Sequence, residues 1–239
     1  MFSARLVVLT SETPHHTRFV AELSQHRTVE AVFCETKIRS APFPTSHPFE
    51  LRRDSFEQEA WFGGRPARLA DFAPVVSCKT ANDAEAVAAL RRIAPDAVVV
   101  FGTGLLKRPV LEICGENTVN LHGGDPEHYR GLDTHLWAIY HDDFDGLCTT
   151  LHTVNEELDD GQIIATLPVS IDRGMQLHEL RKANTEVCLR LVLDATAVFA
   201  DRGAFVSRPQ RTKGRYYSFM PAELKEICVQ KFQRFTESR

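Results

Sequence analysis

The chain of 239 residues has no apolar run long enough to cross a bilayer, and its start lacks the basic-then-apolar pattern of an export signal. A membrane-spanning helix is not expected, and a soluble cytosolic protein is. Positive charge is also in short supply. With 28 Lys and Arg against 32 Asp and Glu, the net charge of -4 gives no field to hold nucleic acid by its phosphates, so no DNA or RNA partner is expected. The six cysteines (Cys34, Cys78, Cys114, Cys148, Cys188 and Cys228) stand singly, mostly inside apolar segments. No two have metal-ligand or redox spacing, which reads as buried thiols in a reducing compartment. His128, His135 and His141 lack the i, i+4 pairing of zinc-binding helices, so no metal is expected. There are no internal repeats, no low-complexity segments and no glycine-rich phosphate fingerprint.

What is present is an alternation of apolar runs and amphipathic stretches. Residues 4–10 and 29–34 read as parallel strands flanking a helix that Thr13-Pro14 opens and Phe19, Val20 and Leu23 stripe. Residues 37–79 are less regular. Their one amphipathic stretch, 49–62, carries Phe49, Phe56 and Trp61, which either cover a site as a lid or pack on the sheet. Thr80 or Asn82 is placed to cap a helix ending at Ile93, with Ala84, Val87, Ala88 and Leu90 inward, before Pro95. Residues 96–102 are the strongest strand signal, apolar from Ala97 through Phe101 as a central strand must be. A strand over 163–171 and a long helix from Met175 to about Asp201 follow, the helix carrying Leu177, Leu180, Val187, Leu191 and Val192 on one face. The expected fold class is α/β: a Rossmann-like parallel sheet with a mixed edge, helices on both faces, and a short C-terminal hairpin and helix. The length suits one larger domain, residues 1–202, with an extension at 203–239. In that extension, residues 205–206 and 214–219 read as two short strands around a basic turn (Arg208, Arg211, Lys213), before a helix from Pro221 bearing Leu224, Ile227, Cys228 and Phe232. Too short to bury a core alone, the extension is expected to pack on the main domain or on a second subunit, giving a homodimer.

Three polar side chains stand out. Val119-Asn120-Leu121-His122 ends in Gly123-Gly124, so Asn120 and His122 are expected on one face at the exposed end of a buried strand, where open α/β sheets bind ligands. Asp159 follows another strand candidate, residues 147–154. An imidazole beside a carboxylate is a base of fixed tautomer, and an amide can donate to an oxyanion. Together the three suit acyl transfer. Asp160 competes with Asp159 for the carboxylate's part. The loop at residues 11–16 leads into a helix N-terminus, a place that favours anions, and makes His15, His16 and Arg18 candidates for a substrate pyrophosphate, against a reading as ordinary exposed residues.

The order Asn120-x-His122, then residues 129–139 (YRGLDTHLWAI), then Leu158-Asp159-x-Gly161-x-Ile163 resembles the folate-dependent formyltransferases, over roughly residues 4–172. The chain departs from that family's pattern at Gly123-Gly124-Asp125-Pro126-Glu127-His128 and at Asp160. The resemblance implies a catalytic trio of Asn120, His122 and Asp159. It implies a pterin pocket walled by Gly102, Thr103, Gly104, Leu105, Leu106 and Lys107 on one side and Val154, Asn155 and Glu156 on the other. It implies 10-formyltetrahydrofolate as co-substrate. The run at 129–139 looks most like the sugar N-formyltransferases, which act on nucleotide-linked 4-amino-4,6-dideoxy sugars for surface polysaccharides such as O-antigen. That makes Tyr129 and Arg130 candidate substrate contacts, with Trp61, Tyr129 or Phe219 available to stack on a base. Another small amine as acceptor, hydrolysis of formyltetrahydrofolate, or a nucleotide-binding domain without catalysis are the alternatives.

Overall fold

The computed structural model describes residues 4–239. Seven strands form one sheet: β1 (Leu6–Ser11), β2 (Val29–Glu35), β3 (Val75–Cys78), β4 (Ala97–Phe101), β5 (Thr118–His122), β7 (Cys148–Thr153) and β8 (Ile163–Pro168). Their order is β3-β2-β1-β4-β5-β7-β8. Neighbours from β3 to β5 run parallel, while β5-β7 and β7-β8 are antiparallel, which gives the mixed edge. β4 lies in the middle and is buried along its whole length.

The apolar runs are continuous because both faces are covered. Alternation sends Leu6 and Val8 to one face, against Phe19 and Leu23 of α1 (Pro14–His26) and Leu191 and Phe199 of α6 (Leu180–Arg202). It sends Val7 and Leu9 to the other, against Leu90 of α3 (Ala84–Ile93) and Val110 of α4 (Arg108–Cys114). A third cluster joins Phe49 of α2 (Pro48–Phe62), Ile139 of α5 (Thr134–Tyr140) and Cys228 and Phe232 of α7 (Ala222–Glu237). Among the described residues no helix is long and apolar enough to cross a membrane.

Several local expectations change. Neither Thr80 nor Asn82 caps α3. Asp83 holds the cap position and turns its carboxylate back to Thr80, while Asn82 accepts from Lys107 N–H (2.7 Å) and donates to Leu105 O (3.0 Å). Ala86, Ala89 and Leu90 are the buried positions of α3, and Ala84 and Ala88 face solvent. In α2, Phe56 meets the ring of His178 and Trp61 donates to Glu186, neither partner being in a strand, while Phe49 shares a recess with Phe101 of β4. A 3₁₀ turn at Leu177–Glu179 precedes α6, so the long helix starts at Leu180.

The tail forms no hairpin. Arg208 exchanges both backbone hydrogen bonds with Ile163, which commits that segment to the edge of the sheet. β9 (Arg215–Tyr217) instead pairs in parallel with β6 (Tyr129–Gly131). Two glycines permit the approach. A Cβ at Gly131 (φ +102°) would lie 2.0 Å from Tyr217 O, and one at Gly214 would lie 2.4 Å from Pro126 O.

Candidate active site

The C-terminal ends of β1, β4 and β5 open into a cavity of about 670 Å³. Asn120 and His122 both line it, as the two-residue repeat of β5 requires. Asp159 comes from the loop between β7 and β8 in a left-handed backbone conformation (φ +50°), unusual for a residue other than glycine. The residue is 6% exposed, and its carboxylate accepts from Gly131 N–H at 2.8 Å and lies 3.5 Å from His122 Nδ1 and 3.5 Å from Asn120 Nδ2. Burial alone would raise its pKa. The neighbouring imidazoles of His122 and His152 and the Gly131 N–H outweigh burial and bring it to about 2. Asp160 is engaged elsewhere, with Lys213 at 3.1 Å and Arg130 at 3.7 Å, and is absent from the cavity lining, so of the two neighbours it is Asp159 that reaches His122 and Asn120.

Tautomers follow from the partners. His122 Nε2 lies 2.7 Å from Tyr129 O, and a carbonyl only accepts, so Nε2 carries the proton and Nδ1 presents a lone pair beside Asp159. Burial lowers the His122 pKa and Asp159 opposes that, so the ring is a neutral base with its counter-charge in place. His152, which the sequence reading did not single out, applies the same logic. Its Nδ1 donates to Thr153 O at 2.7 Å, leaving Nε2 to accept from Asn120 Nδ2 at 3.1 Å. That contact orients the Asn120 amide. The second amide N–H, only loosely held at 3.5 Å from Asp159 Oδ1, is the one free to meet a ligand oxygen.

One wall of the cavity is Gly102–Leu106, the other Val154, Asn155, Glu157 and Leu158; Lys107 and Glu156 are not among its lining residues. The first wall is braced from behind by buried Glu35, which accepts from Gly104 N–H (2.9 Å) and Ala81 N–H (2.7 Å), and by the Asn82 contacts. His15 and His16 line the cavity but are buried rather than exposed. Burial, followed by Arg181, brings His16 to about 3, and burial with His16 and the arginines holds His15 well below its usual value. Both are neutral near pH 7 and offer a ligand no charge. Arg18 is ion-paired to Glu22 at 2.6 Å and is absent from the cavity lining. Tyr129 donates its hydroxyl to Asp143, and Arg130 donates to Leu158 O; neither lines this cavity. Nor does Trp61, whereas Phe219 does.

The cations at the cavity are Arg39, Arg53 and Arg181. Arg181 is clamped by Glu57, fully buried, at 2.7 and 2.6 Å, and Arg53 by Asp54 at 3.2 Å. Arg53 and Arg181 line both this cavity and an adjoining recess of about 200 Å³ whose walls include Phe49, Phe101, Leu136, Leu177 and Leu180. No signal in the sequence marks these arginines, because α2 and α6 meet only in the folded chain. Among the described residues no group of His, Cys, Asp or Glu is placed to hold a metal ion.

An amide donor, a neutral imidazole and a buried carboxylate around one cavity are the kinds of group that attack on a carbonyl uses. Comparison with known proteins points the same way. Residues 4–196 match the formyl transferase family. Methionyl-tRNA formyltransferase of Magnetococcus marinus is 37% identical over 110 residues, covering 44% of this chain and 35% of that enzyme. Its counterpart in Acidothermus cellulolyticus is 32% identical over 146 residues, 61% and 44%. The chain thus spans less than half the length of these relatives. A crystal structure of a likely sugar N-formyltransferase from Mycobacterium tuberculosis superposes with a TM-score of 0.60 at 19% identity, over 90% of this chain and 75% of that one. The formyltransferase PseJ from Anoxybacillus kamchatkensis, solved with UDP-4,6-dideoxy-4-formamido-L-AltNAc and tetrahydrofolate, gives 0.55 at 16%, over 98% and 100%. At those identities the two structures speak to the fold. By the match over most of its length, this chain belongs to the formyl transferase family.

Proposed function

We propose that this protein moves a formyl group from 10-formyltetrahydrofolate to the primary amine of a nucleotide-linked 4-amino-4,6-dideoxy sugar. The observation that carries the reading is the meeting of Asn120, His122 and Asp159 in one cavity, in the family's order. The cavity suits a pterin: its volume is that of an ordinary ligand site, and Val100, Leu106 and Val154 offer apolar surface between two stretches of exposed backbone. The folate supplies an activated formyl carbonyl. Asn120 donates to its oxygen as negative charge builds there. His122 Nδ1 takes the proton that the attacking nitrogen sheds as the new C–N bond forms, and returns it to the departing folate nitrogen. Asp159 balances the imidazolium in between. The acceptor amine must arrive unprotonated, so the rate rises with pH through its pKa. Arg53 and Arg181 are the groups for the sugar nucleotide's diphosphate, and Phe219 for its base.

The apolar recess favours a second reading, in which the carbon next to the acceptor amine carries an apolar side chain, as in a methionyl group. The curated relatives act on methionyl-tRNA. The net charge of -4 speaks against a polyanion as large as tRNA. Incubating the protein with formyl-folate and a panel of nucleotide 4-amino sugars, methionyl-tRNA and small amines, and following the mass gain of each, separates the readings. Gain on methionyl-tRNA alone would refute the sugar assignment, and folate turnover without any amine would indicate hydrolysis. We also propose that the protein is a cytosolic homodimer joined through residues 203–239, where Val206 and Tyr216 are half exposed. Light scattering of a monomer at micromolar concentration would refute that.

A further inference from the structure

The Asp159 backbone has little of its own to hold it in place. The residue sits at φ +50° in an irregular loop, two positions from Gly161, where a Cβ would come within 1.6 Å of Thr153 O. The carbonyls of Leu158 and Asp160 accept from Arg130 (3.0 Å) and Asn155 (3.2 Å), while those of Asp159 and Gly161 are held from the tail, outside the residues that match the family. Gln210 Nε2 donates to Asp159 O at 3.0 Å and to Gly161 O at 2.8 Å, bridging the two carbonyls on either side of Asp160. The Gln210 Oε1 is buried without a hydrogen-bond partner, so the side chain keeps this position at the expense of its own acceptor. Lys213 extends the brace by pairing with Asp160. Arg208 and Thr212 tie the same segment to Glu127, and Gly214 N–H to Pro126 O ties it to the loop leading into β6. The Gly131 N–H that fixes the Asp159 carboxylate lies on β6. Both ends of the carboxylate's support therefore run through residues 208–217.

We propose that Gln210 is a positioning residue for the proposed transfer, holding the Asp159 carboxylate within reach of His122 and Asn120 through the backbone on either side of Asp160. The inference rests on Asp159 being the working carboxylate of the reading above. Gln210→Met keeps the length and removes the donor. It should lower kcat by about tenfold or more, since small misplacements of reacting groups are costly, and leave both KM values within about twofold. Because Gln210 acts through Asp159, adding Gln210→Met to Asp159→Asn should cost at most about a further twofold. Ser207→Ala, which removes only a bond to Gln162, is the control that leaves kcat unchanged. A full tenfold loss in the double variant, or wild-type kcat in folded Gln210→Met, overturns the proposal. If Gln210→Met does not fold, Gln210→Asn, one methylene too short for both carbonyls, takes its place. A readout free of turnover separates this from failure of the formyl-transfer reading: the His122 ring, titrated by NMR, should move to lower pH in the variant as its carboxylate drifts away. Inactive wild type with that movement sinks the transfer reading alone, and no movement sinks the brace.

Discussion

Acidification should unfold this protein over a narrow range, because three buried imidazoles and a fourth, half-buried one are held in neutral form. His15, His16, His122 and His135 all have pKa values lowered by burial, His16 to about 3 and His135 to about 4. The unfolded chain binds a proton at each near the ordinary histidine value, so below it the unfolded state holds more protons and stability falls with pH. For a group shifted as far as His16 or His135, going from pH 7.5 to 5.5 removes about 1–2 kcal/mol. These two remove roughly 3 kcal/mol, and His15 and His122 act in the same direction. That is a large fraction of the 5–15 kcal/mol typical of a folded domain. Asp159 adds nothing in this window, since its depressed pKa matters only as pH falls below about 4 toward 2. Urea titrations at pH 7.5, 6.5 and 5.5, followed by tryptophan fluorescence, give the free energies directly. A difference under about 1 kcal/mol between the extremes would show that these rings are not buried neutral, and the tautomers assigned at the site would fall with them.

Asp159→Asn keeps the Gly131 contact but removes the charge that balances the His122 imidazolium, and should cut kcat by about 10²- to 10⁴-fold with the fold intact, as read by steady-state assay and circular dichroism. Arg53→Met should raise the KM of an anionic acceptor about tenfold and leave that of the folate alone. Arg181→Met is a poorer probe of binding: it strands buried Glu57 and should cost about 3–5 kcal/mol, seen as a lowered Tm. Gly102→Ala places a Cβ 2.4 Å from His16 Nε2 at a φ of +84°, and should destabilise by about 1–3 kcal/mol while weakening folate binding in calorimetry.

The parts of the site readable in the sequence are those that sit on regular strands. The alternation of β5 placed Asn120 and His122 together, and the apolar run of β4 announced the sheet's centre. Asp159 was reachable because a fixed interval of chain separates it from β7. What escaped notice depends on contacts between distant segments. Glu35 and Glu57 look like surface acids until burial and a specific partner are seen. Arg53 and Arg181 each lie among charges of their own helix, and only the meeting of α2 with α6 turns them toward one space. His152 alternates with polar neighbours along β7 and carries no local mark. The hairpin expected in the tail failed for a related reason: local strand propensity at 205–206 lost to a bridge with Ile163, 45 positions before Arg208.

The parallel ribbon of β6 and β9 has a consequence for how the molecule is made. Each of the seven strands of the main sheet leaves the ribosome before β9 exists, so the scaffold can close while the Asp159 loop still lacks its outer support. A nascent chain paused between α6 and β9 would hold a finished sheet and an unbraced cavity wall, and the Asp159 loop would settle only as residues 208–217 are laid across it.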